Sequence, residues 1–177
     1  MSFKNKTLTY IFLNGREERI NSKLNFPYEF FYGYDFLKNF YGEDNLIEFN
    51  YQNKSLLLGF LEKLLNKITD LPFFFQYITT FKNYKIIKNS DDIVMTNQRV
   101  AFSSILMIFL GKFKKEINVH IFIMGLLNRK VNYRIKRLFR KIFIRILFST
   151  SKNLFFLSKG EYEYAKKNYK KYKDKFS

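Results

Sequence analysis

Apolar residues in this chain fall into short dense runs separated by charged, polar or glycine-containing segments. The clearest pattern lies at the middle. Asp91-Asp92-Ile93-Val94-Met95-Thr96-Asn97 has the character of a short buried strand, an apolar helix follows to Gly111, and Asn118 to Gly125 forms a second strand ending at a glycine. Two strands joined by one helix of this length make a βαβ unit, which predicts that they run parallel.

The flanking pattern extends the same scheme. Leu8 to Gly15 predicts a first strand whose glycine allows a sharp turn, and Arg16 to Ser22 a charged loop. Pro27 opens a predicted helix over Tyr28 to Tyr41, Gly42 to Asn45 punctuates it, and Leu46 to Tyr51 predicts a second strand. Ser55 caps a helix with the apolar stripe Leu57, Leu58, Leu61, Leu64, Leu65 and Ile68, and Pro72 starts a helical segment over Phe73 to Phe81. Beyond the central unit, Val131 to Leu147 predicts a helix, Asn153 to Ser158 a last strand and Lys159 to Lys175 a closing helix. This β-α-β-α-α-β-α-β-α-β-α order predicts the α/β class: a Rossmann-like, mostly parallel sheet of about five strands with helices on both faces, three layers in all. With no internal repeat, no low-complexity linker and two prolines, residues 1–177 are expected to form a single domain.

Composition narrows the chemistry. The absence of cysteine excludes disulfides, thiolate metal sites and thiol nucleophiles, and a single histidine excludes a multi-histidine metal centre. No metal and no cofactor is expected. Lys, Asn, Ile, Phe and Tyr dominate while Ala occurs twice, the bias of AT-rich coding, which accounts for part of the net charge of +17. It does not account for where the charge sits. Residues 1–100 carry a net +2 and residues 101–177 a net +15, with no acid between Glu116 and Glu161. The second half is therefore expected to face something anionic. The run Leu8 to Leu13 is too short for a signal-peptide core, and Val100 to Leu110 falls well below the ~18 residues of a spanning helix. The expectation is a cytoplasmic protein, peripheral at the inner membrane face where it meets lipid.

Three stretches carry a family resemblance: Pro27 to Lys38 followed by Leu46 to Tyr51; Asp91 to Asn97 with its long helix and Val119 to Gly125; and Phe155-Phe-Leu-Ser158-Lys-Gly-Glu161. Together they resemble the N-terminal, acceptor-binding domain of glycosyltransferases with the GT-B fold. The first looks like the helix and short strand after the opening strand, the second like the strand pair lining the inter-domain cleft. The third looks like the family's strand ending in serine with a glutamate three residues on. The resemblance spans nearly the whole chain through loose motifs. It implies binding of a saccharide or lipid-linked acceptor, whose hydroxyl receives a sugar from a nucleotide-activated donor with a base supplied by the acceptor half. Two features depart from the family. The chain ends about where the crossover to a donor-binding domain would begin, and its opening loop has Gly15 alone where the family has paired or tripled glycines. The resemblance thus implies a truncated or split-gene half, inactive alone, whose donor-binding domain is absent or supplied by a separate chain.

In open parallel sheets ligands bind beyond the carboxyl ends of the strands. That rule nominates Gly15, Arg16, Glu17, Thr96, Asn97, Gln98, Arg99, Gly125 and Ser158 as an acceptor cleft. Glu17 is the candidate general base; the alternative is a solvated loop carboxylate. Thr96 to Arg99 offers polar groups and free N–H donors at a helix start, or else Thr96 or Asn97 simply caps that helix. Ser158 and Glu161 also fit a capping box, each bonding the other's backbone N–H. His120, in mid-strand, is expected to be packed or edge-facing.

The helix from Val131 carries the strongest signal. Val131, Ile135, Leu138, Ile142 and Ile146, widened by Phe139, form a stripe expected to pack on the sheet. Arg134, Arg137, Arg140, Lys141 and Arg145 fall on the other side and, with Arg129 and Lys130, form the expected membrane- or anion-binding set. Five of the eight arginines lie between Arg129 and Arg145. Ile144 within that face and Phe143 at its margin suit a peripheral membrane contact. Near anionic lipid each basic side chain contributes about 1 kcal/mol. The competing partner is RNA phosphate, as for a basic, non-enzymatic RNA-binding or ribosome-associated protein. Aromatics set in apolar runs rather than among the basic residues favour lipid over nucleic acid. The closing helix repeats the theme, with a packed face from Tyr162 to Phe176 ringed by lysines.

Overall fold

Leu8, Tyr10 and Phe12 project to one side of the first strand and Ile11 and Leu13 to the other, and both sets find a core. That two-sided burial makes the strand central. The structure, a computed structural model, describes residues 3–22, 31–50, 55–127 and 131–177. Its strands are β1 (Phe3–Leu13), β2 (Tyr41–Phe49), β3 (Asp92–Met95), β4 (Asn118–Ile123) and β5 (Asn153–Phe156). They form one sheet in the order β2-β1-β3-β4-β5, and every neighbouring pair is parallel. Helices α1 (Arg16–Asn21) and α2 (Tyr34–Leu37) accompany the smaller core, made by Leu8, Tyr10, Phe12, Phe31, Tyr34 and Val94. The larger core lies under α3 (Leu56–Thr69), α4 (Phe81–Asn89), α5 (Gln98–Lys112), α6 (Arg134–Thr150) and α7 (Lys159–Asn168). The result is the Rossmann-like three-layer α/β/α arrangement that the pattern predicts. The chain steps from β1 out to β2, then back past β1 to β3. That reversal, at the carboxyl ends of β1 and β3, is the switch point beyond which such sheets hold ligands.

Several local elements differ from expectation. Residues 16–22 were expected to form a loop, yet Arg16–Asn21 is helical. Gly15 turns the chain at φ 81°, and the Glu48 carboxylate accepts the Glu17 N–H at 2.7 Å. Strand β2 begins at Tyr41 and runs through the predicted punctuation at Gly42 to Asn45, because β1 extends back to Phe3 and offers a partner. Gly42 permits that approach: a Cβ there would lie 1.9 Å from the Lys4 carbonyl oxygen. Of the predicted helix over Tyr28 to Tyr41, the first residues lie outside the described ones; the rest is α2 and a 3₁₀ turn at Lys38–Phe40.

Residues 73–81 are not one helix. The Asn66 side chain accepts the Phe73 N–H at 2.8 Å and donates to its carbonyl at 2.9 Å, and Ser103 Oγ accepts the Phe74 N–H at 2.9 Å. These side-chain bonds replace helical ones and let Phe73 and Phe75 enter the core fully buried. One 3₁₀ turn follows at Phe75–Tyr77, and Thr80 then caps α4, a helix the pattern does not separate. In α3, capped by Ser55, Leu58, Leu61 and Leu65 pack inward while Leu57 and Leu64 are exposed. After α7 a 3₁₀ turn at Lys170–Lys175 brings Phe176 back beside Leu154. No helix among the described residues is long and apolar enough to cross a membrane.

Candidate functional site

Strand order brings the sequence-nominated cleft residues to one rim, but most are engaged in holding it together. Thr96 is buried, its N–H and hydroxyl both donating to the Ile11 carbonyl at 3.3 and 3.2 Å. Asn97 Oδ1 accepts the Val100 N–H at 3.0 Å, the ordinary N-cap of α5. Gln98 spans to the end of β4, donating to the Met124 carbonyl and accepting its N–H at 3.0 Å. Exposed Arg99 lies over the Phe74 ring at 5.4 Å, and exposed Glu17 sits in the first turn of α1. Of the nominated charged groups, Glu17 and Arg99 are exposed and Arg16, at the start of α1, is half-buried.

Gly125 and Ser158 belong to a different device. Ser158 makes no side-chain cap bond, so the capping box is not formed. Glu161, fully buried, instead reaches across to the turn after β4. Its carboxylate accepts the N–H groups of Gly125 at 2.8 Å and Leu127 at 2.6 Å. Gly125, at φ 72°, turns the chain so that those N–H groups converge on one carboxylate. Two donors satisfied at once outweigh a single reciprocal cap.

His120 is packed, as its mid-strand position implies. Its Nε2 lies 3.3 Å from Asp92 Oδ1 and its Nδ1 3.0 Å from the Asn153 side-chain nitrogen, at the amino ends of β3 to β5. Burial raises the Asp92 pKa, but hydrogen bonds from His120 and Asn118 and the charge of His120 hold it below the ordinary carboxylate range. Among the described residues no His, Asp and Glu side chains group as a metal site would require.

Helix α6 departs most from its sequence reading. Its pattern offers two apolar faces, and the sheet takes the second. Ile144 (2% exposed), Leu147 and Phe148 are buried, and Phe143 meets Phe73 at 5.3 Å between ring centroids. The stripe expected to pack is turned outward: Ile135 is 71% and Leu138 59% exposed, with Phe139, Ile142 and Ile146 beside them. Arg140, expected to face an anion, is buried instead. Its guanidinium donates to the carbonyls of Asp70 and Leu126, both at 2.6 Å, and lies 3.8 Å from the Asp70 carboxylate. Ile144 and Phe143 are consequently core residues rather than a membrane contact. Arg134, Arg137, Lys141 and Arg145 remain exposed, while Arg129 and Lys130 lie outside the described residues. At 100° per residue Arg134, Lys141 and Arg145 form one row along the border of the outward stripe. The missed signal was Phe143, Ile144, Leu147 and Phe148, at spacings of one, four and five.

Comparison with known proteins finds no matching family model, no similar characterised sequence and no similar solved structure.

Proposed function

We propose that this chain works against an anionic membrane surface, as the acceptor-binding domain of a sugar-transferring enzyme of the GT-B kind. The observation that carries the reading is the outward stripe Ile135, Leu138, Phe139, Ile142 and Ile146, bordered by Arg134, Lys141 and Arg145. A helix with this cross-section lies in the plane of the lipid interface, apolar side chains among the acyl chains and cations at phosphate level. The surroundings fit. Helix α6 packs beside α3 and α5, which expose Leu56, Leu57 and Phe60, and Leu106, Phe109 and Leu110. Glu62 is the sole acid in these three helices. A large exposed apolar area marks an interaction surface, and cations without matching acids select an anionic one.

The sugar-transfer role rests on the resemblance of the strand pairs and on a switch-point rim at which Glu17 and Arg99 are exposed. A lipid-linked acceptor would reach that rim from the membrane on which the helical layer rests. RNA gains nothing from Ile135, Leu138, Ile142 and Ile146, which make up most of the stripe, since bases stack on aromatic rings. Co-sedimentation separates the two. The full chain should pellet with phosphatidylglycerol vesicles and stay in solution with phosphatidylcholine vesicles. Retention by RNA in preference to anionic vesicles, with a steep fall in added salt, would contradict the membrane reading.

A further inference from the structure

The positive charge of α6 does not all border the stripe. On its flank toward α7 the two helices leave a groove of about 600 Å³. Arg137, Arg140 and Lys141 contribute from α6, Tyr164 from α7 and Tyr169 from just beyond its end, and Leu127 and Ile144 form an apolar part of the lining. Among the described residues no carboxylate lines it. Arg140 is fixed at the base by the carbonyls of Asp70 and Leu126, with the Asp70 carboxylate 3.8 Å away, so the mobile cations of the groove are Arg137 and Lys141. Arg137 bonds the Val131 carbonyl through one nitrogen at 3.2 Å. Neither Arg137 nor Lys141 joins an ion pair among the described residues. Volume and lining suit a small ligand with one anionic group and one apolar part.

Resting on the membrane reading above, we propose that this groove binds the phosphate of an amphiphilic phosphoester whose apolar tail leaves toward the outward stripe of α6. Guanidinium forks match phosphate oxygens in pairs, and a lysine beside them adds a point charge. Lys141 lines the groove and also belongs to the row bordering the stripe, so a phosphate held there sits at the level where lipid headgroups would lie. Burial pushes the Tyr169 hydroxyl up to about 12, against the opposing pull of Arg140 and Arg145, so near neutral pH it stays a neutral donor. The outward stripe accounts for the tail: Leu138 lies next to Lys141 around α6 and is exposed, so an alkyl chain attached to a phosphate held by Lys141 has an apolar path out of the groove.

Calorimetry on the full chain tests this with hexyl phosphate, inorganic phosphate and hexyltrimethylammonium, all monomeric in water. Hexyl phosphate should bind saturably, about tenfold or more tighter than either other probe. Arg137→Gln with Lys141→Gln should weaken it at least about tenfold, while Lys167→Gln with Lys171→Gln, exposed and outside the groove, should leave it within about twofold. Equal loss in both pairs would mean diffuse charge and overturn the site. Inorganic phosphate binding as tightly as hexyl phosphate would overturn the tail, and the ammonium probe binding equally would overturn the phosphate. Absence of saturable hexyl phosphate binding would overturn the whole inference. The membrane reading stands or falls separately, on Ile135→Ser with Leu138→Ser, which should lower affinity for anionic vesicles about ten- to a hundredfold and spare hexyl phosphate.

Discussion

Helices α5 and α6 are of nearly equal length, 15 and 17 residues, and lie on the same face of the same sheet, yet they meet water in opposite ways. Helix α5 buries nine residues, α6 four. From Val100 to Ile105 every residue of α5 is buried, and even Ser103 and Ser104 are, because their hydroxyls donate to the carbonyls of Arg99 and Val100 one turn back. Helix α6 presents a narrow aromatic-rich seam inward and a full aliphatic stripe outward. A helix that only had to close the domain would place polar residues there. The difference teaches that α5 builds the fold, whereas α6 both closes it and offers a surface.

That contrast can be broken by substitution, and the largest effect belongs to the inner seam. Phe148 is fully buried among Tyr169, Tyr172, Phe156 and Phe176, so Phe148→Ala should destabilise the fold by about 3–5 kcal/mol in urea unfolding. Arg140→Met comes next, at about 2–4 kcal/mol, because two carbonyl acceptors lose their donor inside the protein. Had Arg140 faced an external anion, the same change would leave unfolding untouched. On the outer side, Ile135→Ser with Leu138→Ser should keep stability within about 0.5 kcal/mol while lowering affinity for anionic vesicles ten- to a hundredfold. Smallest are the border cations: Arg134→Gln or Arg145→Gln should each cost about fivefold in vesicle affinity, an effect that fades in high salt. If the pattern were inverted, with Ile135→Ser destabilising and Phe148→Ala tolerated, α6 would be rotated as its sequence alone suggests.

The fold was legible where one pattern stood alone. Ile93 to Met95 and Val119 to Ile123 are apolar runs bounded by Asp, Asn and Gly, and the helix between them is apolar over most of its length, so the βαβ unit follows directly. Legibility failed where a distant partner decides. Gly42 to Asn45 looks like a turn until β1 lies beside it, and Phe73 to Phe81 looks helical until Asn66 and Ser103 take its backbone bonds. The candidate site was legible as a rim and as a basic helix, but not in its division of labour. Nothing local distinguishes a cap such as Asn97 from a ligand, or shows that Glu161 serves the turn after β4 rather than its own helix. For α6, periodicity marks both apolar faces and cannot say which one the sheet will choose.

The chain contains no tryptophan, so Leu138→Trp places a single indole reporter on the outward stripe. With phosphatidylglycerol vesicles its emission should shift to the blue and be quenched by lipids brominated in the acyl chains, and neither change should occur with phosphatidylcholine. Emission that stays at the wavelength of exposed indole through saturating anionic vesicles would contradict the account that α6 lies in a membrane surface.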